Sequence, residues 1–462
     1  MITRIEIDGF KSFQDFSVDL APFQVIIGVN GCGKSNLFDV IGLLSRLANQ
    51  SDLYAAFQDL RGQPFTLLPD GKPVDRIRIA VEMLVDQTVR DGWGDEAKLL
   101  NPRLRYNLEI VRRRNGDGFQ DIRLQSESLW AISPEPDTWS RLHGGEEFHN
   151  WLHSNSPLAS PMYINTAEDK LRQNPTIYLT PENAIDGRKP RDIGFQSGQM
   201  NRTLLSRIET TENPHILAVR HEMQTWATLH LNPDNLRLPS MLTTDGPFRV
   251  IGNSVPYVLA NLEKAEPEQF RNVSRDLRNL LRGVRNVQVE FNVARNEYEV
   301  FVYMDDDRRF GLAGLSDGTL RLLALVTAKN AVNKRGLLCI EEPENAVHPG
   351  VHGGLVQLLR DMATDLRDSE SLLQGGRQVL VTTHSPGLVS HLDMSANELL
   401  FADMATRIIP HQHSLQVTRM FPVQPGKAEG PEAMYGLQRV IEYLNIADVE
   451  AQRCNLKEAF SR

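Results

Sequence analysis

Phe23-Gln24-Val25-Ile26-Ile27-Gly28-Val29-Asn30-Gly31-Cys32-Gly33-Lys34-Ser35-Asn36-Leu37 decides how the rest of the chain is read. The first five residues are a short, mostly apolar run suited to a buried strand. Beyond the glycines, Leu37, Ile41, Leu44 and Ala48 mark one face of a helix. Gly28, Gly31 and Gly33 allow a tight turn whose successive N–H groups point inward, and the turn feeds the positive end of that helix. The backbone through Asn30, Gly31, Cys32, Gly33, Lys34, Ser35 and Asn36 is therefore a candidate phosphate cradle. Lys34 is spaced to reach the beta and gamma phosphates of a nucleoside triphosphate, and the Ser35 hydroxyl to bind Mg2+. A chance match is the competing explanation; the strand before and the helix after argue against it.

Working outward, the chain has 462 residues, enough for one large core or two lobes. With 41% apolar and 24% charged residues it has the composition of a globular protein. No apolar stretch approaches the ~20 residues of a membrane span, and Met1-Ile2-Thr3-Arg4-Ile5-Glu6 lacks a signal peptide's apolar core. A cytoplasmic protein with no membrane partner is expected. Three cysteines, Cys32, Cys339 and Cys454, point to reduced thiols rather than a disulfide framework or metal cluster. The net charge of -9 argues against a surface that coats nucleic acid all over but allows a local basic patch.

Ile2 to Leu20 alternates around Gly9 as a hairpin would, and Asp75 to Leu84 and Leu104 to Arg112 are strand candidates. The last of these is expected to pair with Phe119 to Gln125 across Asn115-Gly116-Asp117-Gly118. From about 126 to 244 prolines, four tryptophans and a helical pattern from Asn201 to Leu229 predict an inserted, mostly helical lobe. Pro267 opens a helix that Gly283 closes, followed by a hairpin over Val287 to Asn292 and Tyr298 to Met304. The domain reading is 1–125 and 245–425 for two halves of an α/β core, 126–244 for the lobe and 426–462 for a helical tail.

A phosphate loop needs a metal-binding acid and a group that directs water, at the carboxyl end of a neighbouring parallel strand. Leu337-Leu338-Cys339-Ile340-Glu341-Glu342-Pro343-Glu344 supplies an apolar run and then carboxylates. Glu341 is the candidate Mg2+ ligand, and Glu342 the candidate that orients or deprotonates water. Taken alone, the octapeptide also reads as a strand entering a solvated acidic turn. Val379-Leu380-Val381-Thr382-Thr383-His384-Ser385 is a further strand, ending in a histidine that is either structural or aimed at the gamma phosphate or the water. In Leu315-Ser316-Asp317-Gly318-Thr319-Leu320-Arg321, Ser316 and Gly318 open an apolar helix, as a plain cap or as a second anion site.

This order of motifs resembles the ATP-binding-cassette ATPases, specifically the soluble branch that includes RecF, SMC proteins and the OLD-family ATPases. Gly9-Phe10-Lys11-Ser12-Phe13 and Glu344-Asn345-Ala346-Val347-His348-Pro349 are similar to that branch too. The resemblance covers about 1–125 and 245–400. It implies an α/β fold, with a P-loop core of mixed sheet, flanking helices and an antiparallel β-subdomain. It also implies ATP hydrolysis with Mg2+, and a head-to-tail dimer in which Ser316 and Gly318 cap the ATP of a partner. Glu341 stands where cassette transporters usually have aspartate, as in the OLD-like branch. The metal-sensing glutamine is Gln125 or Gln120, and the middle lobe has no counterpart.

Only 78 residues follow His384, so no nuclease domain of the OLD type is expected. The resemblance leaves two functional classes. One is the ATPase subunit of bacterial antiviral systems such as PARIS, Septu and Gabija, working as a homo-oligomer that controls a separate nuclease or toxin. The other is a RecF- or SMC-like ATPase that clamps DNA in repair or recombination. Acidic charge, no coiled-coil heptads and the large lobe favour the first. Asp305-Asp306-Asp307, next to Arg308 and Arg309, reads as a solvated turn. Arg271, Arg275, Arg278, Arg282 and Arg285, spaced 4, 3, 4 and 3, are either a solvated helix face or a stripe for phosphates or an acidic partner.

Overall fold

The apolar run before the glycine loop becomes the strand Phe23–Gly28, and in this computed structural model every one of its residues is buried. The structure describes residues 1–49, 52–58, 60–61, 75–114, 120–154, 160–167, 175–182, 192–197, 200–241, 255–331, 335–368, 376–393, 397–407, 414–423 and 440. Phe23–Gly28 belongs to a six-stranded sheet in the order Ala227–Leu229, Gly336–Glu341, Arg377–Thr383, Phe23–Gly28, Leu399–Arg407, Leu415–Pro422. Neighbours run parallel except the last pair, which is antiparallel. Alternate residues serve two cores. Ile26, Cys339 and Leu380 face one side, whereas Val25, Ile27, Ile340, Val379 and Val381 face the other. Burial on both faces explains why these strands read as unbroken apolar runs.

The helix Lys34–Asn49 lies between this sheet and a second one. Its Leu37, Ile41, Leu44 and Ala48 share a core with Ile26 and Cys339 on one side and with Ile5, Ile79, Leu108 and Leu124 on the other. The second sheet has eight strands, all paired antiparallel, ordered Ile193–Gln196, Thr176–Leu179, Met162–Ala167, Gln120–Ala131, Arg103–Arg114, Asp75–Leu84, Ile2–Asp8, Phe16–Asp19. The far face of the parallel sheet is covered by the helices Val255–Ala265, Pro267–Leu280, Asp317–Asn330 and His352–Met362. A small sheet built on the hairpin Val284–Asn292 and Glu297–Met304 completes that side.

The described residues of 126–244 include the helices Thr138–Leu152 and Pro214–Gln224 and mix helix with strand. They extend the antiparallel sheet by three strands and add Ala227–Leu229 to the parallel one. Ile164, Ile177, Ile216 and Trp226 lie in the main core, not in a core of their own. The helical pattern from Asn201 to Leu229 shrinks to Leu205–Arg207 and Pro214–Gln224. Pro214 can start a helix but not continue one, and the strands nearby are four to six residues long, too short for a clear period. The turn 115–118, the Gln120 side chain and the tail 426–462 apart from buried Val440 lie outside the described residues.

One buried network fastens this region to the sheet. Arg103, fully buried, donates to Asp137 from Nε at 3.0 Å and from its terminal nitrogen at 2.9 Å, and to the Thr3 hydroxyl at 2.8 Å. His153 Nε2 lies 2.8 Å from the same carboxylate. Burial alone would raise the Asp137 carboxyl, but the hydrogen bond from His153 and the charge of Arg103 hold it far below the usual range.

Candidate functional site

The parallel register brings the carboxyl ends of three central strands side by side, with Glu341 opposite Thr382 and Ile27 opposite Thr383. Loops leaving those ends enclose a cleft of about 640 Å³. Asn30, Gly31, Gly33, Lys34, Ser35 and Asn36 form one wall, and Glu341, Glu342 and Asn345 the opposite one. The sequence separated these groups by some three hundred residues; the sheet gathers them.

Within the loop, Gly31 and Gly33 have φ of 80° and 95°, the left-handed region that glycine enters without steric cost. Gly33 is required for a second reason: a Cβ there would lie 2.1 Å from Thr418 Oγ1 and 3.0 Å from Ser12 Oγ. The Lys34 ammonium donates to the carbonyls of Gly28 at 2.6 Å and Val29 at 3.0 Å, so its own loop holds it over the cradle. Asn36 donates to Ser12 Oγ at 2.9 Å and fixes the helix start against the Gly9–Phe13 turn. Cys32 is buried, which pushes its thiol up and makes it inert packing.

Glu342 occupies the left-handed region at φ 45°, uncommon for a residue with a side chain and costing on the order of 1–3 kcal/mol. Its side chain lines the cleft. It accepts from Asn345 Nδ2 at 2.7 Å, and His384 Nδ1 lies 3.0 Å away. Burial opposes the charged form, but these hydrogen bonds, the His384 interaction and the charge of Lys34 outweigh it, so Glu342 titrates below the ordinary glutamate value. Beneath it, Glu344 is buried with one oxygen accepting from Thr383 Oγ1 at 2.5 Å, and the Ser385 N–H donates to that same hydroxyl at 2.9 Å. This brace sets the strand end from which His384 projects.

Ser316 and Gly318 do not line the cleft. Ser316 is exposed and caps the helix Asp317–Asn330, its hydroxyl accepting from Thr319 N–H at 3.3 Å. Gly318 is buried, and a Cβ there would lie 2.3 Å from the Ala346 carbonyl, so close packing against the turn after Glu342 accounts for the glycine. Arg237, bonded to Leu315 O at 3.1 Å and Asp317 at 2.7 Å, pins the segment in place. Gln125 lies at a bulge in the antiparallel sheet and is not among the cleft's lining residues.

Two groups that line the cleft, His230 and Arg321, and one that bonds its wall, Arg61, are not among the candidate site residues above. Arg61 donates to both oxygens of Glu341, at 2.8 and 2.9 Å, and lies 3.6 Å from Asp39. His230 follows the edge strand Ala227–Leu229, and Arg321 reaches in from one turn beyond Gly318. A short apolar run ending in histidine, Ala227-Thr228-Leu229-His230, was the available signal for His230; Arg61 had none.

A family model described as "AAA domain, putative AbiEii toxin, Type IV TA system" matches residues 100–390, and one described as "AAA ATPase domain" matches residues 1–184. The chain is similar to the chromosome partition protein Smc of Bordetella petrii, 34% identical over 89 residues, which cover 19% of this chain and 7% of that protein. It is also similar to the spermidine/putrescine import ATP-binding protein PotA of Ureaplasma parvum, 24% identical over 131 residues, 28% of this chain and 22% of that one. The matched stretch is thus a small part of both relatives. Among solved structures, an SMC head bound to the C-winged helix domain of ScpA aligns with a TM-score of 0.45 at 13% identity, over 92% of this chain and 99% of that one. The SMC head domain from Thermotoga maritima aligns with a TM-score of 0.37 at 11% identity, over 92% and 99%.

Proposed function

The chain belongs to the AAA-domain ATPase family whose model spans residues 100–390, and from that premise we propose an ATP-hydrolysing switch that works as a head-to-tail pair and controls a separate effector protein. The backbone from Asn30 to Asn36 wraps the triphosphate, and Lys34 leaves its loop carbonyls for the beta and gamma phosphates. Ser35 and Glu341 present the oxygen donors that Mg2+ prefers and would hold it, and a bound ion would supply positive charge beside the outer phosphates. Arg61 turns aside from Glu341 in that state. Glu342, ionised at neutral pH, orients the attacking water and accepts its proton. His384 supports Glu342 and contacts the gamma phosphate, while Ser316 and Gly318 cap the nucleotide of the second copy.

The observation that carries this reading is that Lys34, Ser35, Glu341 and Glu342, far apart in sequence, line one cleft; the pairing rests on the resemblance of residues 315–321 to the segment that caps a partner's nucleotide. An effector partner is supported by Trp93, 74% exposed on a turn that Asp91 braces through the N–H groups of Trp93 and Asp95, both at 3.0 Å. Tryptophan is enriched among the residues that anchor protein contacts. The test is the mass of Glu342→Gln in solution with ATP, by light scattering. A doubling that Ser316→Arg abolishes, with ATP binding retained, is expected. Normal ATP hydrolysis by Ser316→Arg would overturn the paired site. Retention of a nuclease- or toxin-like protein on ATP-bound Glu342→Gln is the expected sign of the effector.

A further inference from the structure

We propose that the exposed arginine face of the helix Pro267–Leu280 docks the phosphate backbone of duplex DNA. Val273 and Leu277 bury the helix in the core above the parallel sheet, which turns its opposite side outward. On that side Arg271, Arg275 and Arg278 are exposed at spacings of four and three, a single row about 10 Å long. Arg282, just past the cap residue Leu281, prolongs it. Among the described residues none of these four guanidinium groups has an ion-pair or hydrogen-bond partner. Arg285, by contrast, is engaged by Asp307 and lies over the Tyr303 ring.

The local carboxylates leave the row clear. Asp276 turns inward, 3.0 Å from Asn330 Nδ2 and 3.2 Å from Lys329 Nζ. Glu266 and Glu268 stand at the amino end of the helix, and Asp305, whose N–H donates to Gly283 O at 2.8 Å, bounds the other end. Arg275 and Arg278 are furthest from both.

Positive charge alone does not choose a partner; the make-up of the face does. From 271 to 282 the exposed residues are Arg271, Arg275, Arg278, Asn279 and Arg282. Protein interfaces have an apolar centre depleted of charge, and single-strand sites supply aromatic platforms for bases. Neither is present on this face. Interfaces with duplex DNA are polar and basic, and each arginine fork can grip a phosphate with two hydrogen bonds. The net charge of -9 over the whole chain speaks against non-specific coating and for binding through a local basic face such as this one.

The test is fluorescence anisotropy of a labelled mixed-sequence 30-base-pair duplex with the full chain, without nucleotide. Four phosphate contacts predict that raising salt from 50 to 200 mM weakens binding roughly a hundredfold. The double variant Arg275→Glu/Arg278→Glu should bind about tenfold more weakly at 50 mM or worse, with a shallower salt slope and unchanged ATP binding. Undiminished binding by that variant overturns the proposal. So does a wild-type preference for the matching single strand, or binding of polyglutamate in place of the duplex, which would mark an acidic protein partner. Lys34→Ala keeps duplex binding here while losing ATP, so failure of the nucleotide reading is separately visible.

Discussion

The sheet beneath the cleft is parallel but for one edge pair and apolar on both faces, whereas the eight-stranded sheet beside it is antiparallel and carries charge on its outer face. On that outer face Arg105 pairs with Glu6 at 2.6 Å and Glu82 at 2.8 Å, and Arg78 with Glu109 at 3.4 Å. Its inner face packs Ile5, Ile79, Val81 and Leu108 on the shared helix. Strands that all point one way deliver their following loops to one edge, so chemistry collects there. Strands that alternate direction scatter their loops, and their long-range ties hold the fold instead. Changes to the polar groups at the carboxyl edge of the first sheet should therefore alter turnover with little effect on stability, and changes to the ties of the second should do the reverse.

The largest expected effect is at the cleft. Glu342→Gln keeps the shape of the side chain but cannot take a proton, so turnover should fall by about 10²–10⁴-fold while ATP binding and the thermal midpoint stay near wild type. Steady-state hydrolysis and a melting curve on the same sample check this. A large drop in melting temperature would mean that the Glu342 turn is a structural tie after all. Next comes Arg103→Met on the other sheet. It strips a buried carboxylate, Asp137, of its bidentate partner, which should cost about 3–5 kcal/mol in a denaturant titration. Loss of turnover in folded Arg103→Met protein, without loss of stability, would break the comparison.

The same contrast explains what could be read before folding. Lys34, Ser35, Glu341, Glu342 and His384 each follow or end a strand of the parallel sheet, so an apolar run followed by a polar group announced them in one dimension. Arg61 belongs to no such pattern; it reaches Glu341 across 280 residues of sequence. The strands Met162–Ala167, Thr176–Leu179 and Ile193–Gln196 were missed because each is short and its partner is set by tertiary packing. Gly318 was legible as a glycine at a helix start, but the Ala346 carbonyl that excludes a Cβ there lies in a turn 28 residues on. Motifs record which groups must meet, and they leave unrecorded what holds them at the right distance.

The smallest effect sharpens the comparison from the antiparallel side. Glu127, on the strand Gln120–Ala131, is fully buried and accepts from the N–H groups of Leu204 at 2.6 Å and Leu205 at 2.9 Å and from the Tyr106 hydroxyl at 3.0 Å. Burial outweighs these donors and pushes its carboxyl up to about 7. The unfolded chain releases that proton near the ordinary glutamate value. Between the two values the folded state binds the extra proton, so stability is full below about pH 4.5 and falls as pH rises through about 7. From pH 5 to pH 8 the loss should be ~2 kcal/mol. Glu127→Gln cannot titrate, and its amide also turns an N–H toward a backbone donor, so it starts less stable at pH 5. Its deficit against wild type should then shrink as pH rises to 8, in parallel melting curves, while the turnover ratio of the two proteins stays level. A deficit constant across that range would show that Glu127 keeps its proton, or its charge, throughout, and that this tie contributes no pH dependence to the fold.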